Sequence, residues 1–227
     1  MFLPSAKRMV IIFFAEQKNM GLISLLFSNP ITFLILVIPL LYSVIIHEVA
    51  HGWVAELFGD HTARYAGRLS LNPKSHIDPL GALALLFVGF GWARPVPVNF
   101  YNLKNFRLGL ICVALAGCVA NILLATTAIA LLRINALASY DLTASILFVI
   151  ARINITLGAF NLIPIPPLDG SKILMGILPA NAQRVLISLE PFGLFILLFL
   201  LYTKILNPVI DITQNFIFLL IGLVLGK

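Results

Sequence analysis

Charged residues are scarce in this chain. Asp, Glu, Lys and Arg together make up 11% of its 227 residues, whereas a water-soluble domain typically has about a quarter. Hydrophobic residues make up 60%, and the mean hydropathy is +1.04. The polar surface is therefore too small to cover such a core in water. The composition predicts a membrane protein and excludes a disordered chain.

Cysteine and histidine are also few, and the basic residues are dispersed. The two cysteines, Cys112 and Cys118, lie in one apolar run, which excludes a disulfide framework and a cysteine-based metal knuckle. Four histidines are too few for a di-iron membrane oxidase. The 15 Lys and Arg residues are scattered singly, so we expect no nucleic-acid partner.

Five apolar runs are long enough to cross a bilayer, which needs roughly 20 residues per helix. They cover residues 31–58, 108–132, 144–163, 185–206 and 209–225. A shorter run, 80–90, ends in Gly89-Phe90-Gly91 and is followed by two prolines, a pattern that favours an element that dips and returns. We therefore predict an all-α polytopic membrane protein with about five to six transmembrane helices. A re-entrant, non-helical or β-like element would lie between the first and second core helices.

We expect three regions: an N-terminal interfacial segment (1–30), a membrane-embedded core (31–184) and C-terminal transmembrane helices (185–227). No repeat or low-complexity linker suggests a further division. This topology places nine basic residues, Lys227 among them, at one membrane face and five at the other, with Arg152 inside a span. The positive-inside rule then predicts a multi-pass protein of the cell membrane with its polar cluster toward the cytoplasm.

The polar cluster within the first long run reads His47-Glu48-Val49-Ala50-His51. Residues four apart share one face of a helix, so the two imidazoles could bind one metal ion. Glu48 lies beside that face, within reach of a metal-bound water. About 16 apolar residues, or roughly 24 Å of helix, precede His47. Ionisable residues at such depth indicate a functional site, here a zinc hydrolase site.

The third protein ligand must come from another part of the chain. Asp169 is the stronger candidate, because three prolines precede it and an Asp-Gly turn would hold its carboxylate at the end of the third span. His61 and His76 follow the first span in a polar loop. Either one could instead bind the metal, brace the loop or be solvated.

The two motifs together resemble the site-2 protease family of intramembrane zinc metalloproteases, in its compact branch without a PDZ domain. The His47–His51 pattern matches the family's His-Glu-x-x-His helix, and Asn161 through Gly170 match its Asn-x-x-Pro-x-Pro-x-x-Asp-Gly segment. The resemblance implies one zinc ion per chain, held by His47, His51 and Asp169, with Glu48 as general base. The implied substrate is a peptide bond within or beside a transmembrane segment of another membrane protein.

Further residues have two possible roles. The family often has Gly-Pro-x-x-Asn in a core helix, whereas this chain has Gly117-Cys118-Val119-Ala120-Asn121. Asn121 could support the transition state or make a helix–helix hydrogen bond, and Asn161 could contact substrate or cap a helix. The stretch Pro95, Val96, Pro97, Val98 could form an edge strand that clamps an extended substrate, or a wedge between helices.

A divalent-cation transporter that uses the same His and Asp ligands is the alternative function. Transporters commonly have internal repeats and ligands spread over several spans, and this sequence shows neither. Arg152 could extend toward the outer surface or pair with Asp141 or Glu190. The sequence predicts no oligomeric state.

Overall fold

The structure is a computed structural model that describes residues 22–88, 91–134, 137 and 140–226. Within these ranges the regular structure is helical and contains no β-strand, which confirms the predicted fold class. Its α-helices are α1 Leu22–Ser28, α2 Pro30–Leu57, α3 Thr62–Tyr65, α4 Pro79–Val88, α5 Phe106–Leu132, α6 Asp141–Asn161, α7 Asp169–Ile177, α8 Ala180–Leu189, α9 Gly193–Tyr202 and α10 Asn207–Val224. Five segments are long and apolar enough to cross a membrane: α2, α5, α6, the stretch Ala180–Tyr202, and α10.

The two longest helices begin at asparagine caps. The Asn29 side chain accepts a hydrogen bond from the Thr32 backbone N–H, 3.1 Å away, and Pro30 follows at the first helical position. The Asn105 side chain accepts from the Leu108 N–H in the same way, at 3.2 Å. Each cap satisfies an N–H that the helix itself leaves unpaired, and so defines where α2 and α5 start.

The bundle is centred on α2, α5 and α6, which pack against one another. Buried small residues of α5, among them Ala114, Gly117 and Ala125, allow close approach of the neighbouring helices. A buried hydrogen bond of 2.8 Å from Asn154 of α6 to the Ser43 hydroxyl also joins α6 to α2. The site described below is built on these three helices and on α7.

The N-terminal helix α1 packs against the bundle. Leu22 and Leu25 form an apolar cluster with Leu36 of α2 and Val149 of α6, and Leu85 of α4 packs against it. The rest of the predicted interfacial segment, residues 1–21, lies outside the described residues. The division into three regions stays a prediction.

The chain turns back after α4, so that the residues following this helix lie beside the residues at its start. A Cβ atom on Gly91 would lie 2.3 Å from the Gly81 carbonyl oxygen, so the two backbones touch. The Arg94 N–H donates to the His76 carbonyl at 2.8 Å. Residues 91–99, here called the extended segment, have no partner strand in the described parts of the chain. Gly89 and Phe90 lie outside those parts, and entry of this element into the bilayer stays a prediction.

The C-terminal helices follow a different course from the predicted one. Pro191 lies in a 3-10 turn, Glu190–Phe192, that interrupts the apolar stretch between α8 and α9. Leu197 of α9 and Leu206, just before α10, both pack beside Leu168, at the start of α7. Residues 180–206 therefore return to the level of the loop that contains Leu168.

From there α10 runs antiparallel to α6. Gln214 bonds the Thr156 hydroxyl at 3.2 Å, and the Arg133 guanidinium donates to the Leu225 carbonyl. The end of α10 thus lies beside the end of α5. Lys227 lies outside the described residues, and its placement stays a prediction. Hydropathy counts every apolar run as a crossing, whereas the turn at Pro191 and the cluster around Leu168 indicate that residues 180–206 return to the face from which they start. Lys204, two residues before Leu206, therefore lies at the level of the same loop.

This course predicts the sidedness of the C-terminus. In a background with Cys112 and Cys118 replaced by alanine, single cysteines would be introduced as Tyr65→Cys, Tyr140→Cys and Gly226→Cys. We expect a membrane-impermeant maleimide to label Tyr140→Cys and Gly226→Cys from one face and Tyr65→Cys from the other. Labelling of Gly226→Cys together with Tyr65→Cys would contradict the course of α8 to α10.

Candidate metal centre

Three potential ligand atoms, supplied by two helices, lie close together. The Nε2 atoms of His47 and His51 are 3.1 Å apart, and each lies 3.1 Å from Oδ2 of Asp169. Four-coordinate zinc, with bonds of about 2.0–2.1 Å to nitrogen and oxygen, keeps its ligand atoms roughly 3.3 Å apart. The triangle therefore has the dimensions of one face of a tetrahedral zinc site, and all three residues are buried.

The hydrogen bond of His51 indicates what the triangle can hold. Its Nδ1 lies 2.7 Å from the Val113 carbonyl oxygen, and a carbonyl can only accept, so Nδ1 carries the proton. In the neutral ring, Nε2 then presents a lone pair to the centre of the triangle. The Asp169 oxygen and the Nε2 lone pair of His51 repel one another at this distance unless a metal cation or a proton on His47 lies among them. The donor set therefore fits zinc.

Gly117 of α5 makes room for both imidazoles. A Cβ atom at this position would lie 2.5 Å from Cε1 of His47 and 2.6 Å from Nε2 of His51. Real Cβ contacts are essentially never that short. The absence of a side chain lets α5 cover the metal-binding face of α2, and one turn earlier α5 supplies the Val113 carbonyl.

Asp169 is brought to the histidines by the proline-rich loop after α6. The helix ends at Asn161, three prolines prevent its continuation, and α7 begins at Asp169 itself. Gly170 is needed there, because a Cβ atom would lie 2.3 Å from the Leu162 carbonyl oxygen. The Ser171 hydroxyl donates to the Leu168 carbonyl at 2.7 Å and ties the first turn of α7 to the loop.

Glu48 lies beside the triangle but outside it. Its Oε2 accepts a hydrogen bond of 3.0 Å from the Val96 N–H of the extended segment. Glu48, the three candidate ligands and the extended segment all line one cavity of about 260 Å³. The carboxylate is therefore placed to act on a molecule in this cavity.

The extended segment is held at both ends. Near its start, the buried Arg68 donates to the Arg94 carbonyl at 2.7 Å. At its end, the Asn99 N–H donates to Asp60 at 2.8 Å. Burial and the neighbouring Arg94 lower the pKa of Arg68, while Glu48 acts in the opposite direction. Arg68 thus places a positive charge on the Glu48 side of the segment.

Asp60 is fully buried at the end of α2 and holds several partners. Its carboxylate accepts hydrogen bonds from Thr62, Asn99 and Asn102. Burial raises the pKa of Asp60, but these hydrogen bonds lower it by more, so the net pKa is below the ordinary value. The carboxylate is therefore ionised near neutral pH and fastens the loop after the extended segment to α2.

Two histidines and one asparagine lie apart from the triangle. His76 is fully buried and bonds the Ser70 carbonyl at 2.7 Å, so it braces the loop. His61 is half exposed and lies 3.4 Å from Glu56. Neither belongs to the metal-binding group found among the described residues. Asn121 is fully buried one turn beyond Gly117, and neither of its amide atoms has a hydrogen-bond partner in the described part of the chain. Its predicted helix–helix hydrogen bond is therefore not observed.

Asn161 lines the cavity, and one of its amide hydrogens bonds the Leu157 carbonyl at 3.0 Å. This bond lies within α6, so Asn161 does not cap the end of the helix. Arg152 is exposed, and its extension toward the outer surface or pairing with Asp141 or Glu190 stays a prediction.

Sequence reasoning missed the residues that support the metal ligands or the extended segment without binding the metal themselves. Val113, Arg68 and Asp60 support a ligand or the extended segment, yet none belongs to a motif quoted above for its chemistry. Asp60 carried one usable signal, since an Asp two residues before Thr at the end of a helix favours an Asx turn. Long-range partners such as Val113 leave no local signal.

The fold and the site together define a helical membrane-protein architecture with a buried candidate metal centre. The family model for peptidase family M50 matches residues 133–202, a stretch that contains Asp169. "Putative zinc metalloprotease YwhC" of Bacillus subtilis is 41% identical over 175 residues, covering 74% of this chain and 80% of that protein. "Putative zinc metalloprotease Rip2" of Mycobacterium tuberculosis H37Rv is 31% identical over 185 residues, covering 77% of this chain and 69% of Rip2.

The chain belongs to peptidase family M50, the site-2 protease family, and is a zinc metalloprotease. "Zinc metalloprotease MJ0392" of Methanocaldococcus jannaschii is also similar, at 27% identity over 151 residues, covering 66% of this chain and 36% of that protein. No solved structure matches the chain. The resemblance noted from the two motifs is thereby confirmed.

The close packing at Gly117 predicts the effect of one methyl group on metal binding. Gly117→Ala would push both imidazoles from their positions, and we expect zinc affinity to fall about 10- to 100-fold, as when a metal-supporting contact is lost. Gly158→Ala is the matched control, because a Cβ atom there would meet neighbours only at 3.7 Å. Zinc affinity would be measured by competition with a chelator. Equal zinc affinity of the two variants would contradict the proposed position of the metal.

Proposed function

We propose that this protein hydrolyses a peptide bond within or next to a transmembrane segment of a membrane-protein substrate. His47, His51 and Asp169 hold the zinc ion, and Glu48 is the general base. The main support for the proposal is that the ligand triangle and Glu48 line the same cavity. Zinc in such a site lowers the pKa of a bound water and polarises a carbonyl group.

Glu48 moves the proton in this reaction. Its carboxylate accepts a proton from the water whose oxygen adds to the carbonyl carbon of the scissile bond. It then returns that proton to the amide nitrogen as the C–N bond breaks, and the products are a carboxylic acid and an amine, which ionise to a carboxylate and an ammonium group. The Val96 N–H fixes one oxygen of Glu48 at 3.0 Å and so orients the other for this role.

The depth of the site supports a substrate in the membrane. His47 lies about 26 Å along α2 from Pro30 and about 15 Å from the end of the helix at Leu57. Because α2 is long and apolar enough to cross a bilayer, the cavity lies at the level of hydrocarbon. A peptide bond can reach that level most directly as part of another membrane protein.

The extended segment supports binding of an unwound substrate. Successive N–H and C=O groups of an extended chain point to alternate edges, so the edge that faces Glu48 carries those of Val96 and Val98. Pro95 and Pro97 have no N–H, and the opposite edge therefore cannot donate at these positions. Since the Val96 N–H is donated to Glu48, a substrate strand could pair with this edge through the Val98 N–H, where its scissile carbonyl would lie close to the metal.

Orientation follows from the loops. Among the described residues, the end of the bundle nearer the triangle carries most of the basic residues. By the positive-inside rule, this excess supports an orientation with the active site toward the cytoplasm of a cell membrane. The transporter alternative has no support in the relatives, whose names are those of metalloproteases.

Replacing the Glu48 carboxylate by an amide tests the role of this residue. Glu48→Gln keeps the shape of the side chain and the hydrogen bond from Val96 but cannot accept a proton. We expect at least a 10³-fold loss of cleavage of a transmembrane test substrate in proteoliposomes, with one zinc ion still bound per chain. Glu56→Gln, whose carboxylate pairs with Arg64 outside the cavity, is the control. Cleavage by Glu48→Gln at the control rate would refute the general-base assignment.

The substrate-binding edge is tested at Val98. Val96 is buried against Gly52, so a charge there would disturb packing as well as binding. Val98→Pro instead removes one N–H from the edge, and we expect cleavage to fall about tenfold, the effect of one lost hydrogen bond of roughly 1.4 kcal/mol. Val98→Ala keeps the N–H and controls for lost side-chain packing. Equal cleavage by both variants, at normal zinc content, would remove strand pairing at this position.

A further inference from the structure

Lys172 is the only cationic side chain that lines the cavity in the described part of the chain. The lining is otherwise formed by the three candidate ligands, Glu48, Asn161 and apolar residues of the extended segment, α5 and the proline-rich loop. None of the motifs singled out for chemistry includes Lys172. Lys172 is partly buried there, and a charge close to hydrocarbon is costly unless something stabilises it.

The structure shows how Lys172 is held. It lies one turn after Asp169 on α7, so it shares the helix that supplies the third candidate ligand. Its Nζ lies over the ring of Phe100, 5.6 Å from the centroid. Phe100 directly follows the extended segment and also lines the cavity. The contact therefore joins the ligand helix to the end of the extended segment.

The contact with Phe100 leaves the charge of Lys172 available. A cation–π contact stabilises and orients an ammonium group without neutralising it. No ion pair of Lys172 with a carboxylate occurs among the described residues. Its hydrogens can therefore be donated to an anion in the cavity.

Peptide hydrolysis creates such an anion. When water adds to the scissile carbonyl, negative charge develops on the carbonyl oxygen, and donors aimed at that position lower the barrier. The remaining histidines, His61 and His76, lie outside the cavity, and Asn161 has one amide hydrogen committed to Leu157. Lys172 is the strongest donor left.

We propose that the Lys172 ammonium, held over Phe100, donates a hydrogen bond to the developing oxyanion of the scissile carbonyl. This inference rests on the proposed function and adds a catalytic residue to it. The proton stays on Lys172 throughout, so the proton balance at Glu48 is unchanged. Phe100 acts as a positioning residue that directs the ammonium into the cavity.

The test compares Lys172→Met, Lys172→Arg and the exposed-loop control Lys74→Met in proteoliposomes. For Lys172→Met we expect kcat to fall about 100-fold, as for loss of one oxyanion donor, with KM and zinc content near wild type. Lys172→Arg keeps the charge and should retain at least about a tenth of kcat. Lys74→Met should behave as wild type.

A second measurement needs no turnover. A phosphinate peptide carries an anionic tetrahedral group in place of the scissile bond, and we expect Lys172→Met to weaken its binding by a factor similar to the loss in kcat. Unchanged kcat and unchanged phosphinate affinity in Lys172→Met would overturn the assignment. So would a rise in KM alone, because that result would mean ground-state binding only.

The two proposals fail in different ways. Cleavage that is lost in Glu48→Gln but retained in Lys172→Met would leave the proposed function standing and remove Lys172 from it. Absence of cleavage by the wild-type protein would overturn the proposed function, whereas the phosphinate comparison would still decide whether Lys172 binds the anion.

Discussion

The close approach of two imidazoles and one carboxylate in a low-dielectric interior is the constraint on which this structure depends. Three nitrogen and oxygen atoms at mutual distances of 3.1 Å need a metal cation or a shared proton among them. The surrounding features serve that approach: Gly117 leaves space for the rings, Val113 fixes the tautomer of His51, and the proline-rich loop delivers Asp169. A lipid-facing bundle can hold such polar groups only when they are paired in this manner.

Accessibility of a peptide bond is the second requirement of the proposed function, and the extended segment is the element proposed to meet it. A helix in a bilayer satisfies its own backbone hydrogen bonds, so a protease there must offer a substitute partner for an unwound substrate. Asp60 and Arg68 hold the segment at its two ends, while Val96 bonds Glu48 between them. In the proposed function, the same short stretch would orient the base through the Val96 N–H and offer the Val98 N–H to a substrate strand.

Local patterns predicted the parts of the protein that depend on local chemistry. The helix spacing of His47 and His51, the apolar runs and the proline-interrupted approach to Asp169 are all visible in the sequence and appear in the structure. Local patterns cannot predict tertiary contacts. The Val113 carbonyl, the Asp60 network and the position of Lys172 over Phe100 all join residues far apart in the chain. The course of 180–202 was missed because hydropathy reports length and polarity, whereas packing against Leu168 decides direction.

Zinc-edge X-ray absorption spectroscopy of the purified, metal-loaded protein tests the central claim most directly. The account predicts a four-coordinate site with nitrogen and oxygen neighbours at about 2.0–2.1 Å and the outer-shell scattering of two imidazoles. A sulfur neighbour at about 2.3 Å, which would bring Cys112 or Cys118 into the site, or scattering from three or more imidazoles, would contradict it.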